Sequence, residues 1–174
     1  MGWLYPVLAL VALQRLGELV YARRNERRLC AAGAVEHGAR HYPLFFLVHG
    51  GWLVSMAIWV PPQQPVVWGW LAAFAMLQVA RIWVVASLGR YWTTRILTLP
   101  EAPLVRRGPY RLLKHPNYLI VAGEIAVLPL AFSAYTIAAV FSVANAALLW
   151  HRIRVEEAAL APRRQPAAPP AGAG

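Results

Sequence analysis

The chain has 174 residues, of which 59% are hydrophobic and 14% charged, and its mean hydropathy is +0.46. An average soluble domain has roughly 25% charged and 45–50% apolar residues, so this composition excludes a disordered chain and argues against a water-soluble domain. The length is that of one domain. Because Cys30 is the single cysteine, an intramolecular disulfide and a cysteine-based zinc site are both excluded.

The net charge of +10 is distributed as in a membrane protein rather than a nucleic-acid-binding protein. Fifteen of the 17 basic residues lie in three segments, at 23–40, 90–114 and 152–164, which long apolar runs separate. Such alternation is typical of polytopic membrane proteins whose basic loops stay in the cytoplasm. We therefore expect no nucleic-acid partner.

The apolar runs predict five transmembrane helices. The first run, 4–21, is long enough to cross a bilayer core of ~30 Å at 1.5 Å per residue. The second, 43–60, ends at a proline-rich turn that no helix can continue, and the third extends from 66 to about 88. The fourth, 119–132, spans only roughly 21 Å as a helix. With the fifth, 134–150, it predicts a short helical hairpin that is tilted or does not fully cross.

The basic loops also predict the orientation. The turns after the second and fourth spans contain no Lys or Arg, which places them outside together with the amino terminus. The carboxyl terminus and the long polar segment 88–117 then face the cytoplasm. We therefore predict an all-α, polytopic membrane protein with one domain over 1–160 and a disordered tail, 161–174, rich in Pro, Ala and Gly.

The candidate site is concentrated where the long polar segment enters the fourth span. Pro116 suits the first turn of a helix and disfavours a helical His115, so the helix is predicted to begin near Pro116. The free backbone N–H groups of its first turn would attract an anionic group. His115 could also be a plain helix cap.

Four charged residues leave the fifth span on the same side of the membrane: Arg152, Arg154, Glu156 and Glu157. Because the hairpin is short, its two ends must lie close together, which predicts a mixed-charge site between them. Carboxylates at a helix carboxyl end are disfavoured by the helix dipole. We expect Arg152 and Arg154, or a cationic ligand, to compensate them, although a solvated helix end is the alternative.

Charged residues also occur inside the apolar runs. Glu124 lies two turns into the fourth span, where a charge is costly and usually marks a site, so a functional role is favoured. For Glu18 we expect a structural ion pair, either with Arg15 one turn away or with Arg81 across helices. No metal site is expected among His37, His41 and His49.

Three pieces of sequence carry a resemblance to a known family. They are Gly108-Pro109-Tyr110, Lys114-His115-Pro116-Asn117-Tyr118, and Arg152 followed by Glu156-Glu157. Together, and with the short hairpin between them, they resemble the isoprenylcysteine carboxyl methyltransferase family, in particular its small bacterial members. The resemblance implies S-adenosylmethionine as methyl donor, S-adenosylhomocysteine as product, and a cytoplasmic cofactor pocket formed by the last two helices. It also implies a lipophilic acceptor that reaches the pocket from the bilayer of a bacterial cell membrane.

The resemblance also implies roles for individual residues. The cofactor would be contacted by Tyr110, His115, Pro116, Tyr118 and Glu157. The catalytic residues nearest the transferred methyl group would be Lys114 and Glu156. Apart from the roles that the resemblance implies, we expect Asn117, Glu124 and Arg152 to contact the acceptor or to support the site. The family usually has Arg where this chain has Lys114, and Lys lacks the planar fork that binds a carboxylate with two hydrogen bonds.

That difference leaves the acceptor open. A lipophilic carboxylate, enol or phenol is compatible with the sequence, and so is N-methylation of a phospholipid. The His-Pro-Asn-Tyr element also allows an NADPH-dependent membrane reductase. A non-enzymatic alternative is a small transporter or assembly factor that uses Arg15, Glu18 and Arg81.

Overall fold

The computed structural model describes residues 2–39, 42–99, 102 and 105–164, with side chains up to residue 161. Within these ranges it contains five α-helices and one small antiparallel sheet. The helices are α1 (Leu4–Ala31), α2 (Tyr42–Trp59), α3 (Trp68–Leu88), α4 (Pro116–Leu130) and α5 (Tyr135–Arg164). The strands are β1 (Val35–His37) and β2 (Ile96–Thr98), with Glu36 opposite Leu97.

Four helices, α1, α2, α3 and α5, are long and apolar enough to span a membrane, and α4 is a shorter apolar helix. Large apolar side chains such as Leu47 and Val79 are exposed on their outer faces. Apolar surface of this extent is stable against lipid rather than water. The chain is therefore an integral membrane protein, and the predicted all-α fold class is confirmed.

The last two helices differ in length. The helix α4 begins at Pro116, as predicted, because proline at the first helical position lacks only an N–H that would be unpaired there. After α4 the chain turns at Ser133, whose φ is 55°. The helix α5 has 30 residues and continues beyond 150, so only the α4 arm of the hairpin is short. It extends four residues into the predicted tail, at 161–164, and 165–174 lie outside the described residues.

Short turns join α2 to α3 and α4 to α5, so neighbouring helices alternate in direction. The ends of α1, α3 and α5 and the starts of α2 and α4 consequently lie on one side of the molecule, which we call the loop side. Both strands lie there. The main apolar core fills the opposite side, and its most buried large side chains are Leu4, Trp52, Met56, Ile125, Leu128 and Phe132.

A group of charged side chains, which we call the buried ion cluster, joins α1, α3 and α4. Its members are Arg15, Glu18, Gln78, Arg81 and Glu124. Arg81 Nε donates to both carboxylate oxygens of Glu18, at 2.6 and 2.8 Å. Oε2 of Glu124 accepts from Arg15 at 2.7 Å and from Arg81 at 3.0 Å, and its Oε1 accepts from Gln78 at 2.8 Å. The predicted structural pairs of Glu18 with Arg15 and Arg81 are confirmed, and Glu124 belongs to the same cluster.

Candidate functional site

A cavity of about 540 Å³ lies on the loop side, between the start of α4, the end of α5 and the segment 91–99. We call it the polar cavity. Pockets for small molecules typically have volumes of roughly 300–1,000 Å³. Seven residues predicted to form the site line this cavity: Tyr110, Lys114, His115, Asn117, Tyr118, Arg152 and Glu156.

Tyr118 is the centre of a hydrogen-bond chain in the wall of the polar cavity. Its hydroxyl donates to Oε2 of Glu156 and accepts from Nε of Arg152 at 2.8 Å. Nη2 of Arg152 then donates to the backbone oxygen of Thr94 at 2.7 Å. One phenol hydroxyl can fill both roles because it has one proton and free lone pairs. The chain fixes α4, α5 and the loop before β2 relative to one another.

His115, which precedes α4, lies between the two glutamates of α5. Its Nδ1 is 3.8 Å from Oε1 of Glu156, and its Nε2 is 3.5 Å from Oε1 of Glu157. The imidazole stacks on Tyr118, with ring centroids 5.4 Å apart. Nε2 is buried and forms no hydrogen bond within the described structure. The two stretches expected to meet, around His115 and around Glu157, therefore do meet.

The charges around the two glutamates differ from the prediction in one respect. His115 approaches both carboxylates, and Arg152 reaches Glu156 through the Tyr118 hydroxyl. Arg154 was expected to help, but its guanidinium lies over the Trp150 ring, 4.9 Å from the centroid. Each residue of an α-helix is rotated by about 100° from the one before it, so the side chains of residues 152 and 154 point about 200° apart. Only one of them can face the cavity.

Three predicted site residues do not line the polar cavity. Pro116 is buried at the start of α4, where it sets the helix boundary. Glu157 is 42% exposed at the edge of the site, next to His115. Glu124 is 1% exposed and bonded within the buried ion cluster, away from His115.

The segment 89–99 forms much of the cavity wall and was not predicted to do so. Asn25, buried near the end of α1, donates to the backbone oxygens of Gly89 and Trp92, at 3.1 and 2.9 Å. The neighbouring Glu26 accepts from the backbone N–H and the hydroxyl of Thr94, at 3.1 and 3.0 Å. Asn25 and Glu26 were the only sequence features that could have indicated this wall, and the residues that they bind lie more than 60 positions away in the chain.

The short 3-10 helix Gly108–Arg111 places Tyr110 in the cavity wall. Gly108 has a φ of 56°, and a Cβ atom there would collide with the Ser87 hydroxyl, so glycine is required. Arg107 Nε donates to the Ser87 backbone oxygen at 2.6 Å and holds the segment against α3. Burial, with a further contribution from the Glu156 carboxylate, raises the pKa of Tyr110. Its hydroxyl therefore remains a hydrogen-bond donor.

A second cavity of about 420 Å³ continues from the first toward the middle of the helices, and we call it the apolar cavity. Its walls are mainly apolar side chains of α1 and α2: Leu16, Leu19, Phe45, Phe46 and Leu53. Five residues line both cavities and form their common boundary: Trp92, Thr93, Asn117, Tyr118 and Arg152. A polar molecule in one cavity and an apolar molecule in the other would meet there.

The fold and these cavities define a helical integral-membrane protein with a polar site at the helix ends and an apolar site behind it. Residues 70–162, more than half of the chain, match the isoprenylcysteine carboxyl methyltransferase (ICMT) family. The chain belongs to this family and is a membrane methyltransferase. The match contains the whole polar cavity wall contributed by α4 and α5, but α1 and α2 lie outside it.

Two relatives extend the comparison to the amino-terminal helices. Uncharacterized protein YpbQ of Bacillus subtilis is 41% identical over 165 residues, which cover 92% of this chain and 96% of the relative. An uncharacterized protein of Haemophilus influenzae is 28% identical over 155 residues, covering 84% of this chain and 88% of the relative. No solved structure matches the chain significantly.

Proposed function

We propose that the chain is an S-adenosylmethionine-dependent O-methyltransferase that acts on a lipophilic carboxylate, enol or phenol. The observation that carries the proposal is the boundary shared by the polar and apolar cavities, at Asn117, Tyr118 and Arg152. A methyl donor in the polar cavity and a lipid tail in the apolar cavity would have their reacting ends side by side. Such alignment can contribute about 7–11 kcal/mol toward lowering a reaction barrier.

The residues of the polar cavity fit S-adenosylmethionine, which has a carboxylate, an ammonium group, a positively charged sulfur and an adenine ring. Lys114 and Arg152 can bind the carboxylate, and Glu156 can bind the ammonium group. The ring of Tyr110 offers an aromatic face to a cation or a base. Oδ1 of Asn117 is buried without a hydrogen-bond partner in the described structure, so it can accept a bond from the ligand. When bound, the cofactor supplies an electrophilic methyl group.

The chain's own residues then orient and isolate the acceptor. The Arg152–Tyr118–Glu156 hydrogen bonds hold fixed dipoles at the cavity boundary. Lys114, in the wall of the polar cavity, adds a positive charge that favours an anionic acceptor oxygen, and Glu156 accepts the hydrogen bond that fixes the Tyr118 hydroxyl. A carboxylate acceptor needs no base at neutral pH, whereas a phenol of pKa ≈ 10 does.

The proposal is tested with the purified full chain in lipid nanodiscs, incubated with S-adenosylmethionine and a long-chain fatty acid or alkylphenol. Mass spectrometry should detect an acceptor that has gained one methyl group. Glu156→Gln should lower the rate at least about tenfold, since it removes the negative charge that would bind the ammonium group of the cofactor. Arg154→Gln is the matched control, because Arg154 lies over Trp150 outside the cavity wall. Absence of any cofactor binding to the unmodified chain would contradict the proposal.

We also propose that the loop side faces the cytoplasm, which the basic residues of its loops support. Cys30, the single cysteine, is exposed at the end of α1 and provides a native probe. In intact spheroplasts a membrane-impermeant maleimide should leave it unlabelled, and lysis should make it reactive. Labelling of intact cells would reverse the proposed orientation.

A further inference from the structure

We propose that His49, on α2, is a further catalytic residue: the general base that takes the proton from a hydroxyl acceptor held in the apolar cavity. The inference rests on the proposed methyltransferase function and narrows its acceptor to a phenol or an enol. The apolar cavity is built largely by α1 and α2, which lie outside the residues that match the family. The family match therefore does not cover most of the cavity wall that would contact the acceptor.

The hydrogen bond of His49 fixes which ring nitrogen is available. Nδ1 lies 2.8 Å from the backbone oxygen of Phe45, one turn earlier. A carbonyl oxygen can only accept, so Nδ1 carries a proton. In the neutral imidazole the lone pair is therefore on Nε2. The guanidinium groups of Arg15, Arg81 and Arg152, from three other helices, line the same cavity as the imidazole.

The other groups of the apolar cavity wall that could accept a proton are already engaged. Both carboxylate oxygens of Glu18 accept hydrogen bonds from Arg81. The Tyr118 hydroxyl donates to Glu156, and the Tyr42 hydroxyl is 2.7 Å from Oγ1 of Thr94. Among the described residues that line this cavity, His49 has the basic nitrogen without a hydrogen bond.

Phe45 connects His49 with the boundary of the two cavities. Its ring lies under the Arg152 guanidinium, 5.1 Å from centroid to Cζ, and beside the His49 ring, 6.2 Å between centroids. Side chains on a helix lean toward its amino end, which for α2 is the loop side. His49 and the boundary residues Tyr118 and Arg152 line the same cavity, so an acceptor held there can contact both.

The proposed step balances atoms and charge. The acceptor's O–H proton moves to Nε2 of His49 while the acceptor oxygen forms a bond to the methyl carbon. The bond from that carbon to sulfur breaks, and its electron pair stays on sulfur. The positive charge of the sulfonium is thereby replaced by that of the imidazolium, which later returns its proton to water. A carboxylate acceptor is already deprotonated, so a base at Nε2 of His49 would not increase the rate of its methylation.

The experiment compares two chain-matched acceptors, an alkylphenol and a nitro-substituted alkylphenol that is already ionised near neutral pH. His49→Phe, which keeps an aromatic ring beside Phe45, should slow alkylphenol methylation about 100-fold at pH 7. The alkylphenol methylation rate of the variant should then rise with pH as phenolate forms. The rate of the unmodified chain should change little between about pH 7 and 9. The nitrophenol should react within about threefold of the unmodified rate, since no proton remains to be removed.

Several results would overturn this role for His49. If His49→Phe lowers the methylation rates of both acceptors equally, His49 has a structural role. If the variant methylates alkylphenol at the unmodified rate, His49 is not the base. If the unmodified chain methylates fatty acids but neither of the two phenols, the proposed methyltransferase function stands and the role of His49 as a base is overturned. Failure of the unmodified chain to bind S-adenosylmethionine in a calorimetric titration would instead overturn the proposed function. His49→Gln, which keeps a polar group of similar reach, serves as the second variant if His49→Phe does not fold.

Discussion

The buried ion cluster and the polar cavity use the same residue types in opposite ways. In the cluster, both carboxylate oxygens of Glu124 are hydrogen-bonded, and its side chain is 2% exposed. In the polar cavity, Glu156 is 26% exposed, and buried atoms of His115 and Asn117 have no hydrogen-bond partner in the described structure. In the cluster every oxygen of the two carboxylates is paired with a donor, although Oε1 of Gln78 is buried without a partner in the described structure. Charges paired in this way stabilise the fold, whereas unpaired polar atoms in the wall of an open cavity are suited to a ligand.

The largest expected effect is on the stability of the cluster. Glu124→Ala leaves Arg15 and Arg81 with one carboxylate, Glu18, between them, and should lower the free energy of unfolding by about 3–5 kcal/mol. Thermal unfolding in nanodiscs measures it. Glu157→Ala is the control, because that side chain is 42% exposed and should change the melting temperature little. An unchanged melting temperature with lost methyl transfer would instead assign Glu124 to the reaction.

Tyr118→Phe tests whether the hydrogen-bond chain of the polar cavity serves the reaction or the fold. It removes the link between Arg152 and Glu156 but keeps the aromatic ring beside His115. We expect unfolding to become easier by about 1–3 kcal/mol, because two hydrogen bonds to charged groups are lost. Methyl transfer should fall by about tenfold or more, since the boundary loses its fixed dipoles. A stability loss without any change in rate would contradict a role in catalysis.

The sequence predicted features that depend on local signals. Pro116 set the start of α4, and charges inside apolar helices indicated the Glu18–Arg81 pair. The role expected for Glu124 stays a prediction, because the sequence did not show that Arg15 and Arg81 lie beside it. The 89–99 wall was missed because Asn25 and Glu26 hold it through contacts between distant parts of the chain.

The smallest expected effect concerns pH. Burial raises the pKa of Tyr110 in the folded chain, while in the unfolded chain it titrates near its usual value of about 10. Above that pH the folded state binds more protons than the unfolded state, so stability falls as pH rises. Tyr110→Phe should reduce this loss of folding stability at high pH. Melting temperatures of both proteins between about pH 9 and 11 give the comparison, and parallel curves would show that Tyr110 is not its source.

Whether the polar cavity binds S-adenosylmethionine can be measured by calorimetric titration of the purified chain in nanodiscs. We expect saturable one-to-one binding that is at least about tenfold weaker in both His115→Ala and Glu156→Gln, because each variant loses an interaction with a charged ligand. Arg154→Gln should bind as the unmodified chain does. No binding, or the same affinity in all four proteins, would show that the polar cavity is not the S-adenosylmethionine site.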